Sequence, residues 1–166
     1  MLLKAHSFVL AGQIQAIGLA SKYGLPDSSF SALSSRVGNE ALQGRLTGPK
    51  AWSPSTDNNA NDYLQIDLQH EFFICAIATQ GNPNADHWTK KFKVHLSVNN
   101  KDWVTYQENN VDKVCLNSLN SSLLSAPVYP FFTLFQIAMC KLHTFAVVLG
   151  SLPVMCFRIT KYGPFN

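Results

Sequence analysis

The residue types that could do chemistry are scattered along this chain of 166 residues rather than gathered into a motif. The five histidines stand singly, and there is no G-x-S-x-G, no H-E-x-x-H and no Walker-type phosphate loop. The four cysteines lie far apart with no C-x-x-C pair, which argues against a zinc site and leaves a disulfide between two of them open. The sequence therefore predicts a protein that is not an enzyme.

The overall composition points to one globular domain and says little about its partners. The chain is long enough to bury a core of its own, and 46% of its residues are hydrophobic. The formal net charge is only +3, and the 13 Lys and Arg residues form no basic stripe of the kind that nucleic-acid-binding proteins show. No nucleic-acid partner is predicted.

The elements that must position any functional residue read as short strands between polar loops. Residues 63–68 and 92–98 alternate apolar and polar side chains, as half-buried strands do, and residues 72–79 form a nearly continuous apolar run typical of a buried strand. The polar residues 99–102 suit a hairpin turn before residues 103–106. This pattern predicts an all-β protein, either a sandwich or a barrel.

Both ends of the chain leave alternatives open. Residues 1–16 fit either a weak secretory signal peptide or an ordinary N-terminal segment. Residues 131–157 are strongly apolar, yet a membrane-spanning helix needs roughly 20 predominantly apolar residues. Because Lys141 and His143 interrupt this stretch, we favour buried strands or a poorly folding tail over a membrane span.

A series of short motifs between Gly18 and Val114 carries a family resemblance. The motifs occupy residues 25–32, 44–46, 51–54, 62–68, 78–81, 88–94 and 102–103. In their order and spacing they resemble the discoidin (coagulation factor 5/8 type C) domain family. The resemblance implies an all-β, discoidin-like jelly-roll β-sandwich, a lectin-like module for cell adhesion or carbohydrate binding, whose loops at one end bind ligands.

On that scaffold several side chains receive structural roles. Leu64, Ile66 and Leu68 are expected to point inward. Trp52 and Trp103 are expected to pack in the core or at its rim. We expect Arg45 to form a structural ion pair or to donate to loop carbonyls, and Cys75 to be a buried free thiol in a strand.

The two ends depart from the family pattern. No cysteine stands shortly before Gly18, and Pro164 follows Gly163 where a second cysteine is usual, so the terminal disulfide of many relatives is expected to be absent. Residues 115–155 do not match the family, whereas residues 156–163 resemble its closing strand. The expected organisation is an N-terminal segment or signal peptide (1–16), a discoidin-like domain (17–114), a divergent apolar segment whose completion of the sandwich is left open (115–155), and a closing strand with the C-terminus (156–166).

The resemblance also implies where a ligand binds. The recognition end is built from loop 1 (residues 34–42), loop 2 (residues 53–61) and loop 3 (residues 81–87). The candidate ligand-binding residues in these loops are Arg36, Val37, Asn39, Glu40, Ser53, Asp57, Asn82, Asn84, Asp86 and His87. Ser53 and Asp57 match positions at which some relatives hold a peptide's terminal arginine, while the polar loops also suit a carbohydrate. The alternative is that these polar residues only form turns.

The predicted partner is a cell-surface glycan, a protein or an anionic phospholipid, at an extracellular, secreted or cell-surface location. Loop 1 offers little apolar area, so any membrane contact is expected to be peripheral. No cofactor is predicted. Some relatives hold Ca²⁺, for which Asp57, Asp62 and Asp86 are candidate ligands, but no loop has the dense oxygen ligands of a dedicated site. The competing hypothesis is a truncated or divergent discoidin segment with an apolar tail, structural or membrane-attached rather than ligand-binding.

Overall fold

The computed structural model describes residues 2–9, 13–16, 24–72, 74–85, 87–116, 137–141 and 154–161. Within them the chain forms twelve strands and two short 3₁₀ helices, Asp27–Ser29 and Ala41–Gly44. The strands are β1 (Leu2–Val9), β2 (Gln13–Ala16), β3 (Phe30–Ala32), β4 (Tyr63–Phe72), β5 (Ile74–Gln80), β6 (Lys91–Ser97), β7 (Val104–Thr105), β8 (Gln107–Glu108), β9 (Val111–Asp112), β10 (Val114–Leu116), β11 (Ile137–Lys141) and β12 (Val154–Lys161).

The larger sheet has six antiparallel strands, in the order β10-β6-β12-β4-β3, with β7 also paired to β6. Strand β12 comes from the C-terminal region and lies between β4 and β6, so that Ile159 stands opposite both Leu64 and Val94. Each of its neighbours therefore completes its backbone hydrogen bonds through β12. The C-terminal strand is thus a central element of this sheet.

The smaller sheet has four antiparallel strands, in the order β11-β5-β1-β2. Strand β1 runs along β5 from the pair Leu2 and Gln80 to the pair Ser7 and Ile74. We expected either a signal peptide or an ordinary segment at residues 1–16, and neither hypothesis included these two strands. A separate hairpin joins β8 to β9 through Asn109 and Asn110, both with positive φ, as a two-residue hairpin turn of type I′ requires.

The core lies between the two sheets and confirms the all-β sandwich. Side chains from both sheets form one buried cluster, with Ile74 and Ile77 from β5 meeting residues of β4, β6 and β12. The predicted inward faces are confirmed, because the following residues are at most 2% exposed: Leu64, Ile66, Leu68, Phe92, Val94 and Leu96. Trp52 is also a core residue, at 1% exposure.

The predicted hairpin after residue 98 is confirmed. Asn99 Oδ1 accepts from the backbone N–H groups of Lys101 and Asp102, and Asn100 adopts a φ of 59°. Strand β7 then returns to pair with β6. An Asn side chain that bonds its own turn in this way explains why a polar four-residue segment ends the strand.

Of three further expectations, one is confirmed, one is shifted by two residues and one lies outside the described residues. Arg45 donates from Nη2 to Asp27 Oδ1 at 2.7 Å and to the carbonyl of Leu25, which confirms its structural role. The strand predicted over residues 72–79 begins two residues later, since Phe72 ends β4 and is bonded to β12. Cys115 is disulfide-bonded and buried, whereas the Cys75 side chain lies outside the described residues.

No helix in the described ranges is long and apolar enough to cross a membrane. Most of the apolar region between residues 117 and 153 lies outside the described residues, apart from β11, which pairs with β5.

Candidate functional site

Loop 1 is built around a tight turn that presents Val37 to solvent. The Asn39 N–H donates to the Arg36 carbonyl at 2.9 Å, and Gly38 has a φ of +80°, as the third position of a type II turn requires. Val37 at the tip is 100% exposed. Glu40 Oε1 accepts from the Gly38 N–H at 2.7 Å, and hydrogen bonds from the backbone of Glu40 itself and of Gly38 hold the pKa of Glu40 below its usual value.

Loop 2 is fastened to loop 1 by backbone and side-chain bonds. The Arg36 N–H donates to the Ser53 carbonyl at 2.9 Å, and the Ser53 N–H donates to the Asn39 carbonyl at 3.1 Å. Asn39 Nδ2 also donates to the Ala51 carbonyl at 2.6 Å. These bonds fix the positions of Arg36, Asn39 and Ser53 relative to one another without using the Arg36 guanidinium or the Ser53 hydroxyl.

An ion pair between Arg36 and Asp57 links the two loops at the surface. Arg36 Nη2 lies 2.9 Å from Asp57 Oδ1, and the two side chains are 46% and 52% exposed. Such an exposed pair adds only about 0–1 kcal/mol to stability. Its importance is chemical, because a guanidinium of this chain already pairs with the carboxylate at the position where some relatives hold a ligand's arginine.

A hydrogen-bond network around the buried Asp62 links both loops. Asp62 is fully buried, and its Oδ1 accepts from the Ser34 hydroxyl at 2.7 Å. The same hydroxyl oxygen accepts from the Ser55 N–H at 3.0 Å, while Trp52 Nε1 donates to the Ser34 carbonyl at 3.0 Å. Asp62 Oδ2 has no hydrogen-bond partner among the described residues. Sequence reasoning placed Ser34 at the start of loop 1 and Asp62 in a family motif and among the candidate calcium ligands, but it did not pair them.

Loop 3 is held by hydrogen bonds within itself and by one to Pro49. The Asn84 N–H donates to Asn82 Oδ1 at 3.0 Å, and the Asn82 N–H donates to the His87 carbonyl at 2.9 Å. Asn84 Nδ2 donates to the carbonyl of Pro49. Asp86 lies outside the described residues. The structure therefore places Asn82, Asn84 and His87 together.

The segment of residues 49–51 connects loop 3 with loop 1. Pro49 accepts from loop 3, Ala51 accepts from loop 1, and Lys50 Nζ lies 3.7 Å from the position that a Cβ on Gly38 would take. Lys50 thus adds a positive charge beside the Val37 turn. No sequence pattern singled it out, since its neighbours in space come from separate loops.

Two of the three candidate calcium ligands have partners within the protein. Asp57 is paired with Arg36, and the buried Asp62 accepts from Ser34. Within the part of the chain that the structure describes, no three His, Cys, Asp or Glu residues lie close enough together to bind a metal ion.

Known proteins of similar sequence match about half of the chain. The chain is 34% identical to human Neuropilin-2 over 98 residues, which is 50% of this chain and 10% of that protein. It is 36% identical over 78 residues to the venom prothrombin activator pseutarin-C non-catalytic subunit of Pseudonaja textilis, covering 45% of this chain and 5% of that subunit. The matched segment thus spans a tenth or less of these relatives.

Among solved structures, discoidin II from Dictyostelium discoideum matches with a TM-score of 0.49 and 17% sequence identity, over 82% of this chain and 49% of that one. The sequence profile of the F5/8 type C domain matches residues 27–128, more than half of the chain and the whole of the three-loop region. The chain therefore belongs to the F5/8 type C domain family.

Proposed function

We propose that this chain is a non-catalytic, extracellular binding or adhesion module that recognises a cell-surface ligand through loops 1, 2 and 3. The observation that carries the proposal is the joining of loops 1 and 2 into one polar surface over the buried Asp62 and its partner Ser34. Loops held by a rigid sandwich are the usual location of binding residues. A glycan, a protein or a phospholipid headgroup could each be the ligand, and the side chains at the surface favour the first.

The Arg36 and Asp57 pair suits a ligand with hydroxyl groups. Both side chains are about half exposed, so the guanidinium offers donors and the carboxylate offers acceptors side by side. A neutral sugar can bond to both groups without breaking the pair. A cationic peptide, by contrast, has to compete with Arg36 for the Asp57 carboxylate.

A membrane surface receives weaker support. Val37 is fully exposed and Leu42 is 38% exposed, and Arg36 and Lys50 supply positive charge nearby. Complete burial of one such aliphatic side chain contributes only about 1.5–3 kcal/mol. Contact with anionic phospholipid would therefore be peripheral.

The disulfide at Cys115 supports the extracellular location, because disulfides persist mainly in oxidising compartments. One relative is a venom protein by name, which fits the same location. The competing hypothesis, a truncated structural segment, receives less support because β12 fills the position between β4 and β6.

The test is a comparison of the wild-type chain on a glycan array and on vesicles containing phosphatidylserine. Asp57→Asn should abolish glycan binding. Asp27→Asn is the matched control, since it also neutralises an exposed aspartate that pairs with an arginine. Asp27 lies at the opposite end of β3 from loop 1. Loss of binding in both variants, or in neither, would contradict the loop site.

A second pair of variants tests the membrane contact. Val37→Asp should remove any vesicle binding. Val111→Asp alters a valine that is 67% exposed on the β8–β9 hairpin and should leave vesicle binding unchanged. Vesicle binding that survives Val37→Asp would mean that loop 1 does not contact the membrane.

A further inference from the structure

The outer face of the six-stranded sheet carries an arginine whose surroundings differ from those of the loops. Arg158 on β12 stands opposite Gln65 on β4 and His95 on β6. Its neighbour Ile159 is 1% exposed and points into the core. Because side chains alternate along a strand, Arg158 projects from the opposite face of the sheet, away from the core.

The guanidinium of Arg158 is held in one orientation. Its Cζ lies 4.3 Å from the ring centroid of Tyr63 and 3.9 Å from that of Trp103. Its Nε donates to Gln65 Oε1 at 2.6 Å, and Gln65 Nε2 in turn donates to Asn100 Oδ1 at 2.8 Å. The second bond fixes the amide so that its oxygen faces the arginine.

The chain has three arginines, and the other two each contact a carboxylate. Arg36 pairs with Asp57 at 2.9 Å, and Arg45 donates from both Nε and Nη2 to Asp27. Arg158 has no acidic partner within the described residues, and its only side-chain hydrogen bond there is made by Nε. Arg158 is neither buried nor fully exposed, so part of its side chain reaches solvent.

The acidic residues on this side of the sheet have other partners. Asp112 pairs with Lys93 at 2.9 Å, Asp102 accepts from the Asn99 side chain, and Asp67 accepts from the Gln69 N–H. The positive charge of Arg158 is felt at His95, whose pKa is lowered chiefly by burial, then by Lys93, and to a smaller extent by Arg158.

We propose that Arg158, clamped between Tyr63 and Trp103, is a binding site for a carboxylate group on the outer face of the sheet, separate from the loop surface. A guanidinium presents parallel N–H donors that match the two oxygens of a carboxylate. Since the rings and Gln65 already hold its orientation, little side-chain freedom remains to be lost on binding. An acidic side chain of a partner protein and a uronic acid of a glycan supply the same chemistry.

The direct test uses the full wild-type chain labelled with ¹⁵N and follows the Nε–Hε signals of the three arginines by NMR. The chain is titrated with N-acetylglutamate amide in one arm and with methyl glucuronide in the other, against sodium chloride at matched ionic strength. A saturable shift of the Arg158 signal alone supports the site, and the arm with the tighter binding identifies the source. Equal shifts of Arg36 and Arg45, or no shift beyond that of chloride, would overturn it.

Two variants sharpen the result. Arg158→Lys keeps the charge but loses the parallel N–H donors of the guanidinium. The dissociation constant for the carboxylate, read from the indole signal of Trp103, should rise about tenfold, the effect of roughly 1.4 kcal/mol. Lys101→Gln removes one positive charge in the turn that holds Asn100, and should leave the dissociation constant unchanged. If both variants weaken it equally, the general charge of the surface is responsible and the proposal fails. The wild-type titration stands even if Arg158→Lys does not fold.

Discussion

Replacing Ser34 by Ala should destabilise the protein by about 2–3 kcal/mol. The Ser34 hydroxyl is the hydrogen-bond donor to Asp62 Oδ1 at 2.7 Å, and Asp62 is fully buried with its other oxygen unpartnered among the described residues. A hydrogen bond to a charged group contributes about 1.5–3 kcal/mol, and removing one partner also leaves the buried carboxylate desolvated. The Ser55 N–H loses its acceptor as well, but it is exposed and can bond to water. The measurement is urea unfolding of the full chain, with the midpoint and the slope fitted separately.

A double-mutant cycle tells whether this cost belongs to the pair. In an Asp62→Ala background the buried charge is gone, so Ser34→Ala should then cost less than about 1 kcal/mol, giving a coupling energy of about 1.5–2 kcal/mol. Ser55→Ala changes a neighbouring side chain but keeps the Ser55 N–H, and serves as the control. A coupling energy below about 0.5 kcal/mol would refute the view that this pair anchors loops 1 and 2.

Three further predictions concern the rest of the fold. Thr47 adopts a φ of 62°, which is strained for a branched residue, so Thr47→Gly should stabilise the protein by roughly 0.5–1 kcal/mol while Thr47→Ala should not, as thermal unfolding can show. The pKa of His95 is lowered by burial, so the unfolded chain takes up a proton first as the pH falls below about 6.5, and the free energy of unfolding should decrease there. His95→Asn should flatten that dependence of stability on pH, and an unchanged dependence would show that other groups dominate. Ending the chain after Leu116 removes β12 and should abolish cooperative unfolding, whereas ending it after Lys161 should not, as circular dichroism against temperature can check.

The strands of the core could be predicted because burial on one face leaves a period of two in the sequence. Leu64, Ile66 and Leu68 alternate with residues of the outer face, and all three are buried as expected. The run over residues 72–79 has no such alternation, so its start could not be placed, and Phe72 belongs to the preceding strand. Nor could local pattern pair β1 with β5, since strand pairing over some 70 residues depends on the whole fold.

The loop surface was predictable in position but not in its bonds. The resemblance to the family located all three loops, and turn-forming residues explain their irregular backbone. It could not reveal that Arg36 pairs with Asp57, 21 residues further along the chain, or that Ser34 lies over Asp62. The disulfide at Cys115 was left open for the same reason, because sequence spacing does not determine connectivity.

Arg36 and Arg158 show how tertiary structure gives one residue type two different capacities. In the sequence each is a single arginine with no acidic residue beside it. Folding brings Asp57 to Arg36, so the charge of this guanidinium is paired, and the two side chains together suit a ligand that bonds to both. Folding brings two aromatic rings and an amide to Arg158 and no carboxylate from the described residues, so its charge is oriented but not neutralised. We therefore propose different ligand chemistry for the two places, hydroxyl groups at the loop surface and a carboxylate at the sheet face.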